Sequence, residues 1–212
     1  MKKLLLACGL VASAVQYASA ADVRPQGDPA SGEAQAAVCA ACHAQDGNSM
    51  VPSFPKLAGL GERYLYEQLV AIRDGERVIA QMAGQVDNKS DQELADLAAY
   101  YDGFERSGGQ TDPKLADLGE KVYRAGVVER GVAACTACHG PQGHGNDPAG
   151  FPALAGQHAE YIESQLKAYK TGYERPGEGR YTDGESKIMR SNAFGLSDLE
   201  LKAVASYIAG LQ

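Results

Sequence analysis

The chain has 212 residues, 44% of them hydrophobic and 22% charged, with 20 Lys and Arg against 27 Asp and Glu for a formal net charge of −7. This excludes a disordered or fibrous protein, and the acidic balance has the wrong sign for a nucleic-acid binder. No apolar run approaches the roughly 20 residues of a membrane-spanning helix, and with no Trp and only 4 Phe the side chains alone make a modest core.

Residues 1–20 read as a secretory signal peptide. Lys2 and Lys3 give a positive start, an apolar stretch runs from Leu4 to about Val15, and Ala18-Ser19-Ala20 supplies the small residues of a cleavage site before Ala21. The stretch is too short for an uncleaved anchor to span a bilayer, and Leu6-Ala7-Cys8 has too brief an apolar approach for a lipoprotein site. The expected place of work is outside the cytoplasm, where thiols oxidise unless otherwise occupied. Without Lys2 and Lys3 the remainder carries 18 basic against 27 acidic side chains, a net −9.

Cys8 leaves with the leader. The four remaining cysteines form two copies of one device, Cys39-Ala40-Ala41-Cys42-His43 and Cys135-Thr136-Ala137-Cys138-His139. C-x-x-C-H is the attachment signature of c-type haem. Thiols three positions apart reach the two vinyl groups of one porphyrin, and the adjacent imidazole is delivered to the iron. A redox disulfide has no need of the histidine. A zinc site built from all four thiols would have to join pairs almost a hundred residues apart, each already carrying its own His.

Self-similarity extends beyond these motifs. Phe54-Pro55-Lys56-Leu57-Ala58-Gly59 answers to Phe151-Pro152-Ala153-Leu154-Ala155-Gly156, and Tyr64, Gln68, Leu69 and Gly75 to Tyr161, Gln165, Leu166 and Gly172. Ser90-Asp91-Gln92-Glu93 and Ser197-Asp198-Leu199-Glu200 are capping boxes. Each opens a helix with one apolar face: Leu94, Leu97, Ala98 and Tyr101, then Leu201, Val204, Ala205 and Ile208. The second half has ten extra residues between Gly172 and Lys187, a Gly-, Pro- and charge-rich stretch that reads as a surface loop. The predicted organisation is a leader (1–20), an N-terminal domain (21–102), a linker (103–113) and a C-terminal domain (114–212), all-α throughout. Halves this small need more than side chains to fill their cores, and a buried porphyrin supplies that bulk.

The repeat also nominates a second axial ligand. Met82 stands eight residues before Ser90, and Met189 eight before Ser197. Met50 has no counterpart and lies close behind His43. His158 aligns with Gly61 and reads as a surface histidine at a helix start; His144, in a Gly-rich loop, reads as solvated. Pro55 and Pro152 follow the haem histidines by 12 and 13 residues. A carbonyl at or beside each is a candidate acceptor for the ligating imidazole, with simple loop rigidity the alternative.

With these motifs the chain resembles the diheme cytochrome c4 family, duplicated class I cytochromes c. The resemblance rests on both C-x-x-C-H motifs, the F-P-x-L-A-G segments, the stretch Gly156 to Tyr161, and a Met before each final helix. It implies two helical domains packed face to face, each wrapped around one covalent haem c, with propionate edges close across the interface. It further implies axial pairs His43 with Met82 and His139 with Met189; the loop leading to Met82 is short for that pattern. With both axial positions filled, catalysis at iron is disfavoured. The expectation is a periplasmic electron carrier, without independent catalysis, running from a quinol-oxidising complex or dehydrogenase to a terminal oxidase. The alternatives are a haem subunit of a flavocytochrome-type sulfide dehydrogenase and a diheme peroxidase. Its net charge predicts partners with basic patches and encounters that weaken with salt; peripheral membrane association stays open.

Overall fold

The structure, a computed structural model, describes residues 24–175 and 177–212; the leader read at 1–20, Cys8 included, lies outside them. Among the described residues the architecture is helical, with no sheet and two isolated antiparallel bridges, Val127 with Val132 and Asn146 with Phe151. The first half holds α1 (Pro29–Gln35), α2 (Ala37–His43), α3 (Glu62–Arg73) and α4 (Asp91–Asp102). The second holds α5 (Ala116–Ala125), α6 (Thr136–His139), α7 (Ala159–Glu174), α8 (Ile188–Phe194) and α9 (Asp198–Ala209). No described helix is long and apolar enough to cross a membrane.

Each half is organised by a first helix crossing its last, α1 on α4 and α5 on α9. Both crossings are close enough to need glycine. A Cβ at Gly32 would stand 2.1 Å from the Asp96 carbonyl oxygen, and one at Gly119 would stand 2.3 Å from that of Ala203. Four residues beyond these glycines the halves exchange sizes. In the first core Ala36 accompanies Tyr101; in the second Tyr123 accompanies Ile208. Both phenol rings fill the same place, Tyr101 against Gly47 and Tyr123 against Gly143. Core volume is thus conserved while its source moves from the last helix to the first.

The capping boxes form at α4 and α9. Ser90 N–H donates to Glu93 Oε2 at 2.8 Å, and the Glu93 N–H returns to Ser90 Oγ at 3.3 Å. Ser197 and Glu200 repeat this at 2.8 and 3.4 Å. A satisfied cap is worth about 1 kcal/mol, and it sets where each final helix begins.

Two segments make long-range contacts that composition does not reveal. In the 103–113 stretch one charged side chain serves both halves. Arg106 donates to the carbonyls of Ala58 (2.7 Å) and Gly59 (2.7 Å) on one side and of Ala153 (2.9 Å) and Ala155 (3.2 Å) on the other. Lys56 Nζ holds the Ser107 carbonyl at 2.6 Å. The ten-residue insertion is a surface loop only at its tip. It then turns inward, and Arg180 ends 5% exposed at the boundary between the halves. Gly172 permits this return, since a Cβ there would stand 2.3 Å from the Arg180 carbonyl oxygen.

Candidate functional site

The helices α2 and α6 each end on the motif histidine, His43 and His139, which are buried at 8% and 6% exposure. Behind each one the chain doubles back. Gly47 O receives the Leu57 N–H at 2.7 Å, and Gly143 O receives that of Leu154 at 2.6 Å. This return brings a proline carbonyl to the imidazole: His43 Nδ1 lies 2.9 Å from Pro55 O, and His139 Nδ1 lies 2.9 Å from Pro152 O. A carbonyl only accepts, so Nδ1 carries the proton and Nε2 keeps its lone pair for a metal. Burial pushes both imidazoles below the ordinary histidine range, opposed by the bond to the proline carbonyl. The neutral, metal-binding form is therefore favoured. Phe54 and Phe151 stand edge-on to the two rings at 6.3 and 6.2 Å.

None of the four motif cysteines is paired in a disulfide. Burial raises the Cys39 thiol and pushes that of Cys135 up to about 11. Zinc binds thiolates, a form that burial disfavours at Cys39 and Cys135. Among the described residues no group of three or more His, Cys, Asp or Glu side chains is arranged to hold a metal ion. The zinc alternative therefore has no site.

In the second half a cavity of about 560 Å³ is lined by Cys135, Cys138, His139 and Met189 together with apolar side chains such as Leu154, Ile162 and Val204. That volume lies in the range of cofactor sites. In the first half Met82 is half-buried at the end of a 3₁₀ turn (Ala80–Met82), at the repeat position matching Met189. Met50 is 90% exposed, and His144 is also exposed. His158 departs from its reading as a surface residue. It begins α7, but it is half-buried with Nε2 2.8 Å from Ser49 O of the first half, so it serves the interface between halves. Paired imidazoles with Nε2 free of protein bonds, cysteines outside any disulfide beside them and a largely apolar cavity fit a porphyrin.

The boundary between the halves holds a feature that sequence inspection missed. Arg77 donates to Gln68 of its own half (3.1 Å) and to Tyr161 (2.9 Å) and Gln165 (2.8 Å) of the other. Arg180 mirrors it, donating to Gln165 (2.9 Å) and across to Tyr64 (2.8 Å) and Gln68 (2.7 Å). The backbone N–H of Arg77 bonds Ala71 O and that of Arg180 bonds Ala168 O, which are equivalent positions of the repeat. The insertion separates the two arginines from their common register, so an offset search does not pair them. Their shared Gln and Tyr partners were the available signal. Arg180 also forms part of the cavity wall.

Comparison with known proteins bears on the whole chain. The family model described as cytochrome c matches residues 30–102 and again 116–212. Cytochrome c4 of Pseudomonas aeruginosa is 47% identical over 211 residues, covering 100% of both chains. A protein of Thiomonas intermedia named thiosulfate dehydrogenase electron acceptor is 37% identical, covering 82% of this chain and 79% of that one. The crystal structure of reduced recombinant cytochrome c4 from Pseudomonas stutzeri superposes with a TM-score of 0.83 at 47% identity, over 88% of this chain and 100% of that one. A doubled haem signature on a doubled fold, alike over its whole length to these relatives, makes the chain a member of the diheme cytochrome c4 family, an electron-transfer protein with two covalently attached haem c groups and not an enzyme.

Proposed function

We propose that Cys39 and Cys42 bind one haem and Cys135 and Cys138 the other, with His43/Met82 and His139/Met189 as the axial pairs. The observation that carries this is the single cavity shared by Cys135, Cys138, His139 and Met189, with the first half repeating the same residues in the same order. When bound, each haem would supply a one-electron iron couple. Pro55 and Pro152 hold the imidazoles in one orientation and one tautomer through Nδ1, while the apolar cavity wall excludes water. The bonds that Arg77 and Arg180 make go to phenol, amide and hydroxyl oxygens. Buried guanidinium charge calls for an anion, and haem propionates, if turned to the boundary, would meet that need.

In this reading the leader 1–20 is removed before Ala21, domains 21–102 and 114–212 are joined by 103–113, and the mature protein works in the periplasm. It carries electrons from a quinol-oxidising complex or dehydrogenase to a terminal oxidase. The relative named as an electron acceptor of thiosulfate dehydrogenase supports a second reading, in which the donor is a sulfur-oxidising dehydrogenase. The test of the site is spectroscopic. The exported protein should carry two haems per chain and show the ferric optical band of methionine sulfur on iron, with Met82→His and Met189→His each removing about half of its intensity. A band untouched by either substitution refutes the axial assignment. Reduced protein mixed with oxidase-containing membranes tests the acceptor, and oxidised protein mixed with thiosulfate and a thiosulfate dehydrogenase, or with quinol and a quinol-oxidising complex, separates the two donors.

A further inference from the structure

The two halves secure their matching methionines by different means. Around Met82 the backbone bonds are local: its N–H bonds Ile79 O at 2.9 Å, and its carbonyl receives the Gln85 N–H at 3.0 Å. The next residue, Ala83, offers no side-chain bond. Met189 sits in the first turn of α8, and the next residue is Arg190. Arg190 grips Asp183 through its backbone N–H (2.9 Å to Oδ2) and its Nε (2.6 Å to Oδ1), and its Nη2 donates to the Gly184 carbonyl. The two side chains are 13% and 5% exposed, so the pair is shielded from water and from screening by salt. The same strap is tied at its other end to the first half: Thr182 Oγ1 meets Gln68 Oε1 at 3.2 Å, and Arg180 reaches Tyr64 and Gln68. The insertion thus runs between two anchors, α3 of the first half and the helix that carries Met189.

We infer that the Asp183–Arg190 brace is a positioning device that keeps Met189 in place, so that the second haem retains its sulfur ligand under a challenge that strips the first. This rests on the axial assignment proposed above. An entering ligand displaces methionine only if the segment bearing the sulfur swings away. At Met82 that motion disturbs a short turn. At Met189 it must break a shielded ion pair and a bond to the backbone of the neighbouring residue, both charge-assisted. The brace also links the second sulfur ligand to helix α3 of the other half through Arg180 and Thr182.

The test uses the ferric holoprotein titrated with imidazole, following the band of methionine sulfur on iron. The wild type loses the band in two steps of similar amplitude. Met82→His lacks the step at low imidazole, and Met189→His lacks the one at high imidazole. Asp183→Asn moves the high step down by about tenfold or more, the scale of one charge-assisted bond, and leaves the low step in place; Asp183→Glu restores part of the gap. Arg190→Lys, which keeps the charge without the fork, moves the same step should Asp183→Asn not accumulate. A high step unmoved in these variants, or a single common step in the wild type, overturns the inference. If Met189→His leaves the band at full strength, the axial assignment itself is overturned, a result distinct from failure of the brace.

Discussion

Immediately after each motif histidine the chain adopts the same unusual conformation with two different residues. Ala44 has φ 64° and ψ 163°, and Gly140 has φ 78° and ψ 162°. This region is nearly exclusive to glycine and costs an L-residue about 1–3 kcal/mol. Substitution of Ala44 by Gly removes that strain but adds about 0.4–1 kcal/mol of unfolded-chain entropy. The net gain is about 1 kcal/mol, or about 2–4 °C in Tm for a unit of this size. The reverse change, Gly140→Ala, costs a similar amount. A Cβ there meets no protein atom within 4 Å, so the penalty from the chain itself is conformational. Calorimetry or denaturant titration of the two holoproteins against the wild type reads both shifts. Equal stability of all three proteins, or a loss on Ala44→Gly, would refute the strain argument.

Gly119→Ala pushes α5 off α9 and lowers stability by about 2–3 kcal/mol, through overpacking against the Ala203 carbonyl; an unchanged denaturation midpoint contradicts the close crossing. Burial raises the Glu200 carboxyl, but bonds from Arg130 and Ser197 outweigh it and bring the group down to about 2 from 4.5. Its contribution is complete above pH 4.5, fades as pH falls, and is gone below about 2. Glu200→Gln keeps the capping geometry, loses about 1 kcal/mol at neutral pH, and flattens the stability profile between those two values. Acid unfolding curves that superpose with those of the wild type exclude this. The acidic balance predicts that the rate of reduction by a partner with a basic docking face falls steeply as salt rises. A stopped-flow rate that does not change with ionic strength removes electrostatic steering.

What the sequence made legible is what physics makes local. The S-x-x-E boxes at Ser90 and Ser197, the apolar faces behind them and the C-x-x-C-H pairs each act within a few residues, so their spacing carries their meaning. The long-range devices left weaker traces. Arg106 sits in a stretch rich in Gly, Ser and polar residues, and composition records the tendency of such a segment to stay loose, not the four carbonyls that one guanidinium collects. Ala36 and Tyr101 exchange volume with Tyr123 and Ile208, and such compensation is visible only once Gly32 and Gly119 are recognised as the same crossing. His158 has no repeat partner because its role is to bond the other half.

The boundary between the halves is held largely by directional polar bonds, and this has a consequence for electron transfer. Lys56 N–H donates to Gln157 Oε1 at 2.9 Å, and Gln157 Nε2 donates back to Lys56 O at 2.8 Å. Arg77 and Arg180 cross to each other's half in the same reciprocal way. Apolar surfaces alone tolerate sliding, because their attraction is proportional to area and indifferent to direction. Buried hydrogen bonds do not, since a shift that breaks one leaves a desolvated group without a partner. The strap through Arg106 and the Arg180 tether add bonds on two sides of the same boundary. Tunnelling between two metal centres depends on their separation, so with one haem in each half an interface that resists sliding would hold any transfer between them at a fixed distance.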